Sequence, residues 1–227
     1  MMKKANVAID GFAGSGKTTV AVELARQLEL VYLDTGLMYR AVALQCLREG
    51  LDAAQDALLV DLMSRFDLKM EVVARPHPTC RMVLQNEDVT DELHDPRVSA
   101  LVPKVAACSA VRRDLVARQQ DFARRGGVIM VGRDIASVVL PDAELKIFLA
   151  ADLAERARRR ALELTAKGKH LSQQEVEDEL SSRDRQDSER ADSPLICVEG
   201  ARQLDTTGRT VAEIVEEIAG WVRCGSV

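Results

Sequence analysis

The apolar residues of this chain are grouped in short runs, and most runs are followed by a turn and a segment with helical periodicity. The strand-length segments lie at 5–9, 31–33, 128–131, 145–149 and, with more polar residues, 203–207. Apolar runs without alternation are typical of strands that are buried on both faces of a parallel sheet. The pattern therefore predicts an α/β fold with a doubly wound parallel sheet of about five strands.

Segments in which apolar residues recur every three or four positions predict the helices of this fold. They lie at 17–29, 37–49, 97–124, 152–166, 173–190 and 210–222. Two of them are preceded by Ser172-Gln-Gln-Glu175 and Thr210-Val-Ala-Glu213, which have the form of a capping box. We therefore expect these two helices to begin next to Ser172 and Thr210.

The middle of the chain departs from the strand–helix alternation. LKMEVV at 68–73 and CRMVLQ at 80–85 have strand character, and Arg-Pro-His-Pro-Thr between them has turn character. Successive strands that are joined by a short turn pair antiparallel. We therefore expect one domain over 1–227, with a small antiparallel β subdomain inserted at 62–104.

Composition excludes several classes of protein. The net charge of −5 argues against general nucleic-acid binding, which usually needs a basic surplus. No apolar run approaches the ~18 residues that span a membrane, and the opening MMKKANVAIDGF has too short an apolar stretch for a signal peptide. The five cysteines are odd in number, widely spaced and without a CxxC pair, which is typical of reduced, mostly buried thiols. We expect a cytoplasmic protein that binds neither nucleic acid nor membranes.

The most specific motif is GFAGSGKT at 11–18, which follows a predicted strand and opens a predicted helix. It fits the pattern GxxxxGK[ST], in which glycines let successive backbone N–H groups point at phosphate oxygens. The Lys17 ammonium suits the β- and γ-phosphates of a nucleotide, and the Thr18 hydroxyl suits Mg²⁺. The strand before the loop and the helix after it supply the context that this motif requires.

A phosphate loop occurs in switches, motors and small-molecule kinases, and the rest of the chain separates them. A switch or motor needs an aspartate at the end of a second central strand, but VIMV at 128–131 ends in Gly132-Arg133. The guanine-recognition pattern NKxD is absent from the sequence. A kinase needs many cations around its acceptor, because phosphoryl transfer depends on positioning and charge neutralisation. The sequence favours a kinase, and a nucleotide-binding switch is the alternative.

Arginines suited to phosphate binding come from separate segments of the chain. Arg40 follows the second predicted strand, and Arg133 follows a central one, where open α/β sheets bind ligands. Arg183 and Arg190 are spaced to share one face of a helix. The arginines at 156–160 are as compatible with solvated ion pairs, which contribute little to stability, as with a ligand.

Further stretches have a specific order and spacing. They are AIDGFAGSGKTTVA, YLDTGLMYRAVAL, VTDELHDPRVS, VRRDLVARQQ, GRDIASVVLPDAELKIFLAA, ERARRR, RDRQDSERADSPL and LDTT. Together they resemble the bacterial cytidylate kinases, which are nucleoside monophosphate kinases, over nearly the whole chain. The resemblance implies a P-loop kinase that transfers the γ-phosphoryl group of ATP to CMP and dCMP with Mg²⁺. We expect a monomer. A kinase of the same fold with another acceptor, such as UMP or a metabolite hydroxyl, is a second alternative.

The resemblance implies roles for individual residues on the ATP side. The ATP site would comprise Gly11, Phe12, Ala13, Gly14, Ser15, Gly16, Lys17, Thr18, Thr19 and Arg156. The catalytic residues would be Lys17, Arg133, Arg156, Arg160 and Arg183. Thr18 would be the protein ligand of Mg²⁺. Helices at 152–190 would form a mobile lid, whose arginines, including Arg159, would contact adenine and the transferring phosphates.

The CMP site that the resemblance implies combines several segments. Its residues would be Thr35, Tyr39, Arg40, Arg112, Arg133, Asp134, Arg183, Asp187 and Arg190. Within this set, the resemblance assigns the base to Thr35, Arg112 and Arg190, the phosphate to Arg40 and Arg133, and the ribose to Asp134 and Asp187.

The chain departs from the family's pattern at three positions. Phe12 stands where proline is common, and Ala136 where glycine is common, and we expect both to be tolerated. Pro103 stands where the family often has a serine that contacts the base. Because proline offers neither a hydroxyl nor an N–H, discrimination between CMP and UMP becomes a property to test.

Overall fold

The computed structural model describes residues 4–74, 78–166, 168 and 171–223. Residues 75–77 of the turn between the inserted strands, and Cys224, lie outside the described part of the chain. Within that part, a sheet of eight strands has the order β3-β4-β2-β6-β1-β7-β8, with β5 beside β4. The strands are β1 (Val7–Gly11), β2 (Val31–Asp34), β3 (Leu68–Val73), β4 (Thr79–Leu84), β5 (Glu87–Asp88), β6 (Val128–Val131), β7 (Leu145–Ala150) and β8 (Arg202–Asp205).

Five neighbouring strands of this sheet, β2, β6, β1, β7 and β8, run parallel. At the centre, Ile9 of β1 is in register with Val131 of β6 and with Ile147 of β7. Both β1 and β6 are buried along their whole length. The prediction of a doubly wound parallel sheet is confirmed, and the absence of alternation in the apolar runs follows from burial on both faces.

Alternate side chains of β1 enter two different cores, one on each face of the sheet. Val7 and Ile9 belong to a core formed with α1 (Lys17–Leu28) and α8 (Val211–Arg223). Ala8 belongs to the core on the other face, which is formed with α2 (Gly36–Glu49) and the helices after the insertion. Since strand side chains alternate in direction, one short strand holds both layers of helices together.

The inserted strands form an antiparallel hairpin that joins the main sheet. β3 pairs with β4 from Leu68↔Leu84 to Val73↔Thr79, and β4 pairs parallel with β2 at Tyr32↔Thr79. Met82 of β4 is fully buried in the same core as α2. The insertion therefore shares its core with the parallel sheet.

One helical prediction needs correction, and one helix was missed. The helix predicted at 97–124 is two helices, α4 (Pro96–Ala107) and α5 (Ser109–Ala123), because Cys108 between them has an extended backbone with a ψ of 112°. Apolar spacing continues across the break, so periodicity alone does not reveal it. A helix that was not predicted, α3 (Asp56–Ser64), precedes the hairpin.

The segment predicted to form a lid consists of two helices, α6 (Leu153–Ala166) and α7 (Gln173–Ser188), which we call the lid helices. They pack together around a small apolar group, formed by Ala157, Leu164, Val176, Leu180 and Ala13 of the phosphate loop. α7 ends at Ser188, so Arg190 lies beyond the helix. The prediction that Arg183 and Arg190 share one helical face is wrong, because the chain leaves the helix before Arg190.

Cys46, Cys80 and Cys108 are buried and free, and Cys197 is free and exposed. None of the helices in the described ranges has the length and apolar character of a membrane span.

Both predicted capping boxes are present. The Ser172 and Thr210 hydroxyls accept from the N–H groups of Glu175 and Glu213, 3.2 and 3.3 Å away. The two glutamates accept from the N–H groups of Ser172 and Thr210 in return, each at 2.8 Å. Each box satisfies N–H groups that have no partner within the helix.

Replacing Thr210 by alanine should lower the free energy of unfolding by about 1 kcal/mol, because the first turn of α8 loses its cap. Urea denaturation followed by circular dichroism measures this. Ser182, an exposed residue within α7, is the control: Ser182→Ala removes a hydroxyl without removing a cap and should leave stability unchanged or slightly higher. Equal effects of the two variants would contradict the capping argument.

Candidate active site

A cavity of about 1030 Å³ opens at the carboxyl ends of the central strands, the edge where parallel α/β sheets bind ligands. Most predicted site residues lie on its wall: Ala13, Gly14, Ser15, Gly16, Lys17, Thr18, Thr19, Thr35, Tyr39, Arg40, Arg112, Arg133, Asp134, Arg160, Arg183, Asp187 and Arg190. The others, Gly11, Phe12 and Arg156, lie behind the wall. One cavity therefore brings together residues from segments that are far apart in the chain.

The phosphate loop leaves β1 at Gly11, where only glycine fits. Its φ is 148°, and a Cβ there would lie 2.1 Å from the carbonyl oxygen of Leu149 on β7. The loop ends where α1 begins at Lys17. Backbone N–H groups and the helix dipole at this N-terminus favour an anion in the cavity.

The side chain of Lys17 is folded back onto the loop. Its Nζ donates to the carbonyl oxygens of Gly11 at 2.8 Å and Phe12 at 2.5 Å. Burial lowers the pKa of Lys17 well below its usual value, the charge of Arg133 lowers it further, and Asp10 opposes both. An anion near Nζ would favour the charged form of this lysine.

The ends of β2 and β6 hold Thr35 against Gly132. Thr35 Oγ1 donates to the carbonyl oxygen of Val131 at 2.9 Å, and the N–H of Gly132 donates to the carbonyl oxygen of Ile9 at 3.1 Å. A Cβ on Gly132 would lie 2.8 Å from Thr35 Oγ1. The segment that begins with Arg133 therefore starts in close contact with the N-terminus of α2.

A buried ion pair joins Arg112 of α5 to Asp134 after β6. The Arg112 guanidinium also lies 5.6 Å from the centre of the Tyr39 ring. Burial raises the pKa of Asp134 above its usual value, and the charges of Arg112 and Arg190 oppose the shift. Arg112 lies on the cavity wall, and its Nε is buried without an acceptor among the described residues.

Asp187 of α7 is shared by two arginines from different segments. Its carboxylate lies 2.7 Å from Arg133 Nε and 3.3 Å from Arg190 Nη2. The lid helix and the segment after β6 are therefore tied by one carboxylate.

Cations outnumber carboxylates in the centre of the cavity. The pKa of Arg183 is lowered, first by desolvation and then by the charge of Arg133, with Arg40 and Arg160 adding to the shift and Asp187 opposing it. The nearby Asp187 carboxylate is already paired with Arg133 and Arg190, and Arg183 forms no ion pair of its own within the described part of the chain. This group of like charges is electrostatically unfavourable until an anion enters it.

Arg156, which the resemblance assigns to the ATP site, is enclosed by protein groups in this structure. The residue is 6% exposed, and its guanidinium donates to the carbonyl oxygens of Ala151 at 2.9 Å and Ala13 at 3.1 Å, and to the Asp184 carboxylate. It also lies 5.3 Å from the centre of the Phe12 ring. These partners occupy the guanidinium within the protein, so Arg156 connects α6, α7 and the phosphate loop behind the cavity wall.

The other lid arginines differ in how strongly the protein holds them. Arg159 donates to Thr206 Oγ1 at 3.0 Å and to the Thr206 carbonyl oxygen at 2.6 Å. Arg160 pairs with Glu163 at 3.0 Å on the same helix, its one hydrogen-bond partner in the described part of the chain. An exposed pair of this kind is weak, so Arg160 can readily exchange this partner for a ligand.

The residues present fit a magnesium ion that is held mainly by its nucleotide. The described residues contain no cluster of three histidine, cysteine, aspartate or glutamate side chains that could hold a metal. Thr18 places a hydroxyl on the cavity wall at the start of α1. A hydroxyl together with phosphate oxygens gives the hard oxygen ligands that Mg²⁺ prefers.

Sequence reasoning missed two buried polar residues beside the site. Asp10 is 2% exposed and accepts two backbone N–H groups from the segment after β6. Thr206, fully buried, contacts the Ser15 carbonyl oxygen at 3.2 Å. Asp10 could have been noticed in the sequence, because it is a carboxylate that directly follows an apolar strand. The stretch LDTT contained Thr206 but gave no indication of its contacts.

Comparison with known proteins agrees with this geometry. The family model described as Cytidylate kinase matches residues 7–223. A cytidylate kinase of Pelotomaculum thermopropionicum is 45% identical over 220 residues, which cover 97% of this chain and 96% of that protein. A cytidylate kinase of Desulfitobacterium hafniense is 46% identical over 219 residues, which cover 96% and 92%.

A solved structure shares the arrangement of strands and helices at low identity. It is the crystal structure of an uncharacterized protein from Eubacterium ventriosum ATCC 27560, with a TM-score of 0.55, 12% identity and coverage of 98% of this chain and 99% of that one. This likeness concerns the fold alone. The family match over nearly the whole chain, together with the identity to the curated relatives, shows that this chain belongs to the cytidylate kinase family.

Proposed function

We propose that the chain is an ATP-dependent kinase that transfers the γ-phosphoryl group of ATP to CMP, and also to dCMP. The observation that carries the proposal is the group of cations between the phosphate loop and the segment after β6: Lys17, Arg40, Arg133, Arg160 and Arg183. Two phosphorylated substrates that meet there would supply the missing negative charge. Phosphoryl transfer depends on this kind of positioning and charge neutralisation.

On the donor side, the phosphates of ATP would occupy the loop at the start of α1. Lys17 Nζ, which now donates to two backbone carbonyl oxygens, would exchange them for phosphate oxygens. Thr18 would hold Mg²⁺, which when bound neutralises charge on the donor phosphates.

On the acceptor side, Arg40 and Arg133 would bind the phosphate of the mononucleotide. Arg40 is already oriented by the Leu93 carbonyl oxygen at 3.0 Å and by Ser99 Oγ at 2.6 Å. Asp134 and Asp187, which now pair with arginines, would accept from ribose hydroxyls.

The base would be read by donors on α5 and at the end of the lid. Arg112 Nε has no partner in the described part of the chain, and cytosine presents N3 and O2 as acceptors. Uracil carries a hydrogen on N3, which would face the same donor unfavourably. This difference supports CMP over UMP even without a hydroxyl at Pro103, which lies on the cavity wall.

Closure of the lid helices would exclude water from the transfer. Their apolar contact is small, and Arg160 and Arg183 face the cavity. Phosphates that pair with these arginines would therefore favour the closed form. Because the closed form would exclude water, it would prevent hydrolysis of ATP.

We propose that the protein acts as a monomer in the cytoplasm. The free, mostly buried cysteines of the described residues support a reducing compartment. The contribution proposed for Arg156 is changed from nucleotide binding to positioning of the phosphate loop, since its guanidinium is occupied by protein groups.

ADP release from Mg-ATP, measured against CMP, dCMP, UMP, AMP, GMP and no acceptor, tests the proposed reaction. We expect fast release with CMP and dCMP, slower release with UMP, and only background with the purine nucleotides. Equal release with and without every acceptor would mean that the loop serves a nucleotide switch or a hydrolase. ADP release that is fastest with UMP would agree with a kinase but would contradict the proposed preference for cytosine over uracil.

Replacing Pro103 by serine should raise the ratio of kcat/KM for CMP over UMP about tenfold, the worth of one hydrogen bond. Pro103 lies inside α4, so its removal also changes the helix. Pro103→Ala is the matched control, because it changes the helix in the same way without adding a hydroxyl. The same ratio in both variants would show that position 103 does not contact the base.

Lys17→Met should lower kcat by about 10²–10³-fold, because the transferring phosphoryl group loses a positioned cation. Methionine keeps most of the side-chain length, so the thermal unfolding temperature should change little. Lys69→Met, on the exposed face of edge strand β3, is the control and should retain wild-type turnover. Wild-type turnover of Lys17→Met would remove this lysine from the mechanism.

A further inference from the structure

Asp10 is a buried carboxylate to which the proposed reaction assigns no part. It is the fourth residue of β1, directly before the phosphate loop, and only 2% exposed. Its Oδ1 accepts from the N–H of Ile135 at 2.9 Å, and its Oδ2 accepts from the N–H of Ala136 at 2.7 Å. Both carboxylate oxygens are therefore bonded to one short segment of another part of the chain.

The segment that Asp10 holds begins with two proposed acceptor residues. Arg133 and Asp134 lead directly into a single π-helical turn, Ile135–Val139. The residue before this turn, Asp134, makes no side-chain cap to it. Asp10 supplies the missing cap from the neighbouring strand, since the first N–H groups of a helical turn have no partner within it.

The backbone of the sheet cannot hold this segment by itself. The parallel pairing of β1 with β6 ends at Ile9↔Val131, and the N–H of Gly132 makes one last bond to Ile9 at 3.1 Å. Beyond Gly132 the two strands diverge. β1 continues into the phosphate loop, and β6 continues into the Arg133–Asp134 segment, which we call the acceptor segment. The Asp10 side chain spans this point of separation.

Burial of Asp10 is unfavourable, which argues against an incidental position. The pKa of Asp10 is raised to about 6, mainly by desolvation, even though the N–H groups of Ala136 and Ile135 oppose the shift. Two charged groups also face it: Asp134 raises the pKa, and Lys17 lowers it. A carboxylate in such a place needs fully satisfied hydrogen bonds, and Asp10 obtains them from the π-helical turn that follows the acceptor segment.

We propose that Asp10 is a positioning residue that fixes the Arg133–Asp134 segment to the strand leading into the phosphate loop, and thereby sets the geometry between donor and acceptor. The proposal rests on the proposed function, because it takes Arg133 and Asp134 as acceptor-binding residues. A single side chain then links the two substrate sites at the end of the buried central strands β1 and β6.

Asp10→Asn and Asp10→Ser test the proposal. Asparagine places an N–H₂ group against one of the two N–H donors, and serine offers one shorter acceptor, so both variants lose part of the tie. We expect the Kd for CMP, measured without ATP, to rise about tenfold and kcat to fall by about 10–100-fold. The Kd for ATP, measured without CMP, should rise less than the Kd for CMP, because Asp10 bonds to Ile135 and Ala136 rather than to the phosphate loop and acts on that loop only through the charge of Lys17.

Hydrogen exchange gives a readout that does not depend on activity. The amides of Ile135 and Ala136 should exchange at least about tenfold faster in both variants, since their acceptor is weakened. Unchanged exchange together with an unchanged Kd for CMP would overturn the proposal. Faster exchange with wild-type affinities would mean that Asp10 only stabilises the turn.

Two controls separate positioning from general stability. Glu144→Gln weakens a carboxylate bond to the N–H of Asn6 at the opposite end of β1. Ile218→Val truncates a fully buried side chain of α8. Both should lower the unfolding temperature without changing the Kd for CMP.

Equal loss of CMP and ATP affinity in the Asp10 variants would also overturn the proposal. Failure of the wild-type protein to bind CMP would instead contradict the proposed function.

Discussion

Repulsion among like charges is the constraint on which the site of this protein is built. Desolvation lowers the pKa of Lys17 and of Arg183, and the neighbouring charge of Arg133 lowers both further. In a medium less polar than water such repulsion is strong. A folded chain can hold these groups together only if rigid elements fix each of them, and the same strain makes the site receptive to phosphates.

The parallel sheet supplies that rigidity. Its central strands end together, so the phosphate loop, Thr35 and Arg133 leave the sheet side by side. Beyond the last backbone hydrogen bonds between the strands, side-chain hydrogen bonds fix the chain. Thr35 donates to the carbonyl oxygen of Val131, and Asp10 accepts from the N–H groups of Ile135 and Ala136. Functional groups that are placed by strands and their capping bonds are held more firmly than groups on free loops.

The two lid helices are connected to the phosphate loop by a different kind of contact. Asp184 of α7 accepts from the N–H of Ala13 at 3.1 Å, and Arg156 of α6 donates to the carbonyl oxygen of the same residue. Phe12 completes this connection, since its ring lies beside Arg156 and packs edge-on against Phe148, with the ring centres 5.5 Å apart. The aromatic residue that stands in place of the family's common proline thus contributes apolar and cation–π contacts behind the cavity.

The amino-acid sequence by itself determined the parallel strands, the phosphate loop and the two capping boxes, because each depends on residues that are neighbours in the chain. Periodicity, the spacing of glycines and a Ser/Thr–Glu pair three residues apart act locally. Only the tertiary structure decided the break at Cys108 and the position of Arg190 beyond α7. It also decided that Arg156 is occupied by protein groups, whereas Arg183 faces the cavity without an ion pair in the described residues. These outcomes depend on which segments meet in space, and arginines of similar sequence context differ only in the partners that the fold brings to them.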